Sequence, residues 1–113
     1  MDETALSTIV NDPAASALYA AIIAALTDLG PFEVEAKKTS LHITNGRAFL
    51  GVHPRRGALL LNIVTTEQLH SPRVRKAEHV SANRWHNEVL LAGPSELDSE
   101  LRGWLAGAYA LTA

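Results

Sequence analysis

Apolar and polar residues follow two different periods along this chain. Between residues 13 and 29 the apolar side chains recur at helical spacing. Asp12 before Pro13 fits an N-cap followed by a proline at the first helical position, and Gly30-Pro31 would end the helix. The apolar stripe consists of Ala15, Leu18, Ile22, Ala25, Leu26 and Leu29. The pattern predicts a first helix over residues 13–29.

From Phe32 onwards the period becomes two, which is typical of strands. Asn45-Gly46 lies between two alternating segments and is a strong signal for a two-residue hairpin loop. Such a loop would place Thr44 opposite Arg47, and the following pairs would be Ile43 with Ala48, His42 with Phe49, and Leu41 with Leu50. Pro54-Arg55-Arg56-Gly57 predicts a second turn, with His53 opposite Ala58.

The two turns assign the same side of the double hairpin to the core. The apolar face would carry Leu41, Ile43, Ala48, Leu50, Val52, Leu59, Leu61 and Ile63. The other face would carry Lys38, Ser40, His42, Thr44, Arg47, Phe49, Gly51, His53, Leu60, Asn62 and Val64. A slip by one residue would bury the charged side chains, so the hydrophobic pattern supports these faces independently of the turns.

The remaining segments are predicted from weaker patterns. Residues 65–72 are expected to form a connection, and residues 73–80 and 85–92 to form two further strands. Ser95, with Asp98 three residues later, fits a capping box at the start of a second amphipathic helix over residues 95–110. Residues 1–11 show no clear period, and we expect a loose arm or an edge element there.

The order of these elements predicts the fold class. A sheet with one apolar face is buried if both amphipathic helices lie on that face. We therefore predict an α+β domain of two layers, in which an antiparallel sheet of about 4–6 strands is covered on one face by an N-terminal and a C-terminal helix. The length of 113 residues fits a single domain over residues 1–113.

Composition limits the cellular location and the chemistry. There is no cysteine, which excludes disulfides and thiolate metal sites. No apolar run approaches the roughly 20 residues of a membrane-spanning helix, and the acidic N-terminus lacks the basic region of a secretory signal. We expect a cytoplasmic protein that does not enter the membrane.

The net charge of −2 conceals an uneven distribution. Residues 37–84 contain nine lysines and arginines but only two glutamates, whereas the flanking segments contain ten acidic residues and one arginine. Charge separated in this way can focus a potential on one face of the molecule. The alternative is that a basic sheet beside acidic helices serves only solubility.

The order and spacing of several short motifs resemble one family. These motifs are Leu29-Gly30-Pro31, Lys38-Thr39-Ser40, Pro54-Arg55-Arg56, Ser71-Pro72-Arg73, and the C-terminal series Leu97-Asp98, Glu100-Leu101, Trp104-Leu105 and Ala108-Tyr109. They are similar to those of a family of small, functionally uncharacterised bacterial domains, over residues 13–110. The resemblance implies an α+β fold and no established activity. It supplies no catalytic residues, but Lys38 and Arg47 match its pattern.

The predicted open face is the most promising place for a site. Its candidate ligand-binding residues are Lys38, His42, Arg47, Phe49, His53 and Arg55. Cations bind phosphates, and an aromatic ring can stack on a base, so this combination suits an anionic ligand, either single-stranded nucleic acid or a phosphorylated small molecule. The sequence pI near 6.2 is low for a nucleic-acid-binding domain.

Metal, cofactor and catalytic motifs are not recognisable. The five histidines form no closely spaced pair of the kind that zinc sites use, so we expect no bound metal. The glycines lie at turns or within a strand, which does not match a phosphate-binding loop, and we expect no cofactor. No catalytic residue is assigned, and a binding or interaction module is favoured over an enzyme.

Two alternatives stay open. Phe49, Leu60 and Val64 on the open face would form an apolar patch, which could pack against a second copy in a homodimer. In the other alternative, His42, His53 or His86 serves as the acid or base of an enzyme, because histidine titrates near neutral pH.

Overall fold

The computed structural model describes residues 4–112 and contains three α-helices and six strands. The helices are α1 (Ala5–Val10), α2 (Pro13–Thr27) and α3 (Ser99–Ala110), and a single 3₁₀ turn spans Pro94–Glu96. The strands are β1 (Glu33–Ala36), β2 (Leu41–Thr44), β3 (Ala48–Arg55), β4 (Ala58–Thr65), β5 (Val74–Ser81) and β6 (Arg84–Leu91). No helix within residues 4–112 is long and apolar enough to cross a membrane.

All six strands form one antiparallel sheet in the order β1-β2-β3-β4-β6-β5. The buried side chains of all three helices join one hydrophobic cluster with alternate residues of the strands. The strand contribution to this cluster includes Leu41, Ile43, Leu50, Val52, Leu59, Leu61, Ile63, Val89 and Leu91. The helices therefore cover one face of the sheet, and the predicted α+β class is confirmed.

Helix α2 begins as predicted, and its cap also holds the second hairpin. One carboxylate oxygen of Asp12 accepts a hydrogen bond from the backbone N–H of Ala15 at 3.2 Å, and the other accepts from the N–H of Gly57 at 2.8 Å. These two hydrogen bonds hold the pKa of the Asp12 carboxyl below its ordinary value of 3.8, and the bond from Gly57 has the larger effect. The same side chain thus starts the helix and fixes the β3–β4 turn against it.

The first hairpin has a different register from the predicted one. Ile43 lies opposite Leu50, whereas Thr44 lies opposite Ala48, so β3 contains one extra residue, Phe49. A type I′ turn would need positive φ at both central residues, and only Gly46 has it. The loop therefore has three residues, and a bulge follows it. The main part of the hairpin is shifted by two residues, which leaves most of the predicted faces unchanged.

The bulge reverses the faces of Ala48 and Phe49. Phe49 is 1% exposed and joins the core, where its ring meets that of Tyr109 edge-on at a centroid distance of 5.3 Å. Ala48 instead faces away from the helices. The prediction that Phe49 lies on the open face is therefore wrong, because an extra residue in a strand interrupts the alternation of side chains.

The N-terminal segment is a helix rather than a loose arm. Thr4 and Ser7 form a reciprocal capping box at the start of α1, and Ala5 and Ile9 are fully buried in the core. The Ala5 N–H also donates to the carbonyl oxygen of Lys37 at 2.9 Å. The helix is too short for its pattern to be visible in the sequence. Residues 1–3 of the predicted arm lie outside the described residues.

The C-terminal helix begins later than predicted. Ser95 lies within the 3₁₀ turn, and Asp98 is the N-cap of α3, accepting a hydrogen bond from the Leu101 N–H at 3.0 Å. Arg73 binds the Asp98 carboxylate at 2.8 Å and that of Glu100 at 3.2 Å. These ion pairs hold the Arg73 side chain at the start of α3 and not on the open face.

Replacing Phe49 tests the corrected face. We expect Phe49→Ala to lower the free energy of unfolding by about 3–5 kcal/mol, because it empties a site in the core. An exposed phenylalanine would change it by no more than about 0.5 kcal/mol. Urea unfolding followed by circular dichroism measures the difference, and a value in the lower range would contradict the buried position.

Candidate functional site: a groove on the open face of the sheet

The sheet face opposite the helices, called the open face below, is partly shielded by its own side chains. Leu60 is 5% exposed and Val64 is 7% exposed, yet both lie outside the hydrophobic cluster that includes the helices. The expectation of an exposed apolar patch containing Phe49, Leu60 and Val64 is therefore wrong. On this face Leu60 lies opposite His53 of β3, and Val64 lies opposite His86 of β6.

A groove runs along this face over β3 and β4. It consists of two adjoining depressions of about 440 Å³ and 300 Å³, which share Ala48, Val64 and Arg84 in their walls. Outward positions of β3 carry the small residues Ala48 and Gly51, which line the groove. A Cβ atom added at Gly51 would lie 3.3 Å from the Cβ atom of Asn62. The small residues of β3 thus form the floor of the groove.

The larger depression is the arginine end of the groove, defined by Arg47 and Arg84. Arg47 belongs to the β2–β3 turn, and Arg84 begins β6. Neither guanidinium forms a salt bridge with a carboxylate of residues 4–112. The other polar lining residues are Thr66, Ser81, Asn83 and Thr112. Two arginines that share a concave surface with hydroxyl and amide groups, and with no acidic residue in its lining, can hold an anion.

The smaller depression is the histidine end, defined by His42, His53 and His86. His42 lies directly opposite Gly51 in the sheet, and Nε2 of His53 lies 3.6 Å from the position of a Gly51 Cβ atom. His42 and His53 therefore line the same depression as Gly51. Burial, and then the charge of Arg55, lower the pKa of His53 below 6.5.

His86 connects the two ends. Nε of Arg84 donates a hydrogen bond to Nε2 of His86 at 3.4 Å. Burial, followed by the charge of Arg84, lowers the pKa of His86 below its ordinary value of 6.5. Both His53 and His86 are consequently mainly neutral at pH 7, and the acceptor nitrogen of His86 is used by Arg84. The permanent charge in the lining of the histidine end is that of Arg84.

Asn62 lies between the histidines on the central strand β4. It faces Gly51 on one side and Glu88 on the other. Its Oδ1 atom is buried and has no hydrogen-bond partner within the described residues. A buried acceptor without a partner costs about 1–3 kcal/mol. Unpaired buried polar groups beside a groove occur frequently at binding sites, where the site tolerates their cost in stability.

The structure separates the predicted site residues into three groups. His42 and His53 lie together in the groove, and Arg47 lies at its arginine end. Lys38 and Arg55 lie at the other end of the sheet, since β3 runs from Ala48 to Arg55, roughly 23 Å at the usual rise per residue. Phe49 is 1% exposed and belongs to the core rather than to the open face, although it also lines the larger depression.

Asn62 and Arg84 of the groove are not among the predicted site residues, and His86 is predicted only as a candidate acid or base of an enzyme. The alternation of β4 already put Asn62 on the open face, between Leu60 and Val64, and a polar residue in that apolar run was a usable signal. Arg84 lies between the two strands predicted over residues 73–80 and 85–92, so the local pattern does not indicate the direction of its side chain. Its position depends on the pairing of β4 with β6, which joins residues far apart in the sequence.

The open face is not uniformly basic. Lys76 of β5 lies 3.9 Å from the Glu78 carboxylate, and Glu35 pairs with Lys37 at 3.5 Å. No group of three or more histidines or acidic residues within residues 4–112 is arranged to hold a metal ion. Several other cations of residues 4–112 also form no ion pair, and the unpaired cations that line the groove are Arg47 and Arg84.

Replacing Asn62 tests whether its amide costs stability. We expect Asn62→Val to raise the free energy of unfolding by about 1 kcal/mol, because the unpaired acceptor disappears and valine suits a central strand. Thr66→Val, an exposed substitution in the same groove, should change it by less than about 0.5 kcal/mol. Chemical denaturation measures both. A loss of stability in Asn62→Val would show that the amide is held by favourable hydrogen bonds.

The lowered pKa values predict how stability depends on pH. The unfolded chain binds protons at His53 and His86 more readily than the folded chain, so the free energy of unfolding should decrease as the pH falls below about 6.5. NMR titration of the imidazole protons should give midpoints below 6.5 for both residues. The double variant His53→Gln, His86→Gln should lose this part of the pH dependence. Midpoints at or above the ordinary value would contradict the burial argument.

Comparisons with known proteins agree with the resemblance noted in the sequence. A family model described as a domain of unknown function, DUF5655, matches residues 6–112. No curated protein matches the chain, and no solved structure matches it. The matched range contains the whole sheet and both ends of the groove. The chain therefore belongs to the DUF5655 family of domains of unknown function.

Proposed function

We propose that the open-face groove binds a small phosphorylated molecule. The observation that carries this proposal is the position of Arg47 and Arg84 in one concave surface, neither of them neutralised by a carboxylate of residues 4–112. Guanidinium groups form paired, charge-assisted hydrogen bonds with phosphate oxygens. The adjoining histidine end then contacts the uncharged part of the ligand.

A small molecule fits this face better than a nucleic-acid strand. A strand needs a continuous path of cations and several exposed aromatic rings. Lys38 and Arg55 lie far from Arg47, and Phe49 is buried. Glu78 and Glu88, on β5 and β6, would repel phosphates on one side of the groove. The cations of this face thus support a single anionic group rather than a chain of them.

Binding can be tested with phosphorylated metabolites and with single-stranded oligonucleotides, by calorimetry at low and at high salt. We expect a phosphorylated small molecule to bind, with an affinity that falls as salt rises. Arg84→Ala and Arg47→Ala should each weaken binding by about tenfold or more, since each removes charge-assisted hydrogen bonds. Arg102→Ala removes the same charge from an exposed position on α3 and should have no effect.

A second variant tests the location by shape alone. Ala48→Leu would fill the part of the groove that both depressions share, and it should abolish binding while circular dichroism and thermal unfolding stay close to those of the unaltered protein. Ala20→Leu, at an exposed position of α2, is the matched control. The proposal is wrong if no phosphorylated compound binds at low salt, or if Arg102→Ala weakens binding as much as Arg84→Ala.

A further inference from the structure

The outer edge of β5 has no strand beside it. β5 is the last strand of the sheet and pairs only with β6. None of its eight side chains is buried, and six of them are exposed. An edge strand presents a row of backbone N–H and C=O groups that can pair with a further strand. β5 is the longer of the two edges, since β1 at the other end of the sheet has four residues.

The sequence of β5 is complementary to itself in the antiparallel direction. If Ala77 lies opposite Ala77 of a second copy, Lys76 lies opposite Glu78 of that copy, and Glu78 lies opposite its Lys76. Opposite charges directly across an antiparallel pair are stabilising, whereas like charges are destabilising. A register shifted by two residues in either direction would place two lysines or two glutamates opposite each other. The charges therefore favour the register centred on Ala77.

The charged side chains lie on the same face of the sheet, so both ion pairs would form on one side. In β6, Glu88 lies opposite Lys76 and His86 lies opposite Glu78. All four residues line one depression beside the groove, which places them on the open face. Within β5, Nζ of Lys76 already lies 3.9 Å from the Glu78 carboxylate. Two copies would thus bring two lysines and two glutamates together with their charges alternating.

The strand at the other end of the sheet lacks this complementarity. Glu33 and Glu35 of β1 are both exposed. Antiparallel pairing of β1 with itself about Val34 would place Glu33 opposite Glu35 of the copy, and these charges repel. Pairing of β1 with β5 would leave one free edge of each kind, so the association would continue into a filament instead of closing.

Two bulges limit the length of a β5–β5 contact. Arg75 and Val80 are each one extra residue relative to β6. Extra residues bend a strand and interrupt its pairing, which is one way in which edges are protected. The regular segment between the bulges is Lys76–His79. A contact of this length is weak, and its strength depends largely on the two ion pairs.

From the free edge and its self-complementary charges we infer that two copies of this chain associate through antiparallel pairing of their β5 strands about Ala77. The twofold axis of such a pair is perpendicular to the sheet. The helices of both copies then cover one side of a continuous sheet, and both grooves open on the other side. The association does not depend on the proposed function, because neither Arg47 nor Arg84 takes part in it.

Sedimentation velocity over a range of protein concentrations tests the pairing. We expect a monomer–dimer equilibrium with a Kd in the micromolar range, as for other small interfaces. Lys76→Glu and Glu78→Lys each replace two attractive pairs by two repulsive ones, and each should raise the Kd about tenfold or more. Lys38→Glu makes the same charge change at an exposed position outside β5 and should leave the Kd unchanged.

A mixture of the two β5 variants separates pairing from folding. Lys76→Glu makes both charged positions of the contact acidic, and Glu78→Lys makes both basic. Each variant should be monomeric alone with an unchanged circular dichroism spectrum, and an equimolar mixture should form a dimer. The double variant Lys76→Glu, Glu78→Lys should also dimerise, because the exchange restores the complementary charges.

Three results would overturn the inference. The first is an unaltered protein that stays monomeric up to about 1 mM. The second is a dimer whose Kd does not respond to Lys76→Glu or Glu78→Lys, or whose two variants do not pair in the mixture. The third is association that continues beyond two copies, which is the result expected if β1 pairs with β5.

Discussion

Strand β4 lies at the centre of the sheet and is buried along both of its faces, although helices cover only one of them. Burial on the open face must therefore come from side chains of the neighbouring strands. His53 of β3 lies opposite Leu60, and His86 of β6 lies opposite Val64. The groove results from the burial of β4 on its open face. Its walls are the side chains that shield Leu60 and Val64, and its floor is formed by the small residues Ala48 and Gly51, which shield less of the sheet.

The uneven charge distribution of the sequence has two separate outcomes in the fold. Part of the basic segment is neutralised by the acidic flanks, most clearly at Arg73, which binds Asp98 and Glu100 and lies 5.8 Å from the ring centre of Trp104. This cluster ties β5 to the start of α3. Arg47 and Arg84 have no such partner among residues 4–112. The count of charges along the sequence therefore overestimated the basic surface. It indicated correctly that some cations have no carboxylate partner.

The sequence predicted the fold well wherever local patterns determined it. The helix from Pro13, the double hairpin and the core residues of β2 to β4 follow from hydrophobic period and turn chemistry, and the structure agrees with them. The predicted faces of Ala48 and Phe49 are wrong for a local reason. One extra residue in β3 reverses these two side chains, and it leaves the alternation of apolar and polar residues elsewhere in the strand unchanged. The contribution of β6 could not be predicted, since its register against β4 is a long-range pairing that no short motif specifies. His42 and His53 were found because they lie on the double hairpin, and Arg84 and the contact it makes with His86 were not.

The β2–β3 turn is also hydrogen-bonded to the segment that follows α3. Nδ2 of Asn45 donates a hydrogen bond to Oγ1 of Thr112 at 3.0 Å, and Leu111 and Thr112 contribute to the lining of the arginine end. A polypeptide joined after these residues would therefore start at the mouth of the groove. An affinity tag at that position would compete with any ligand for access, and a tag before α1 would be the safer choice for binding measurements. The same geometry makes a position directly after Thr112 suitable for a fluorescent reporter whose emission responds when the groove is filled.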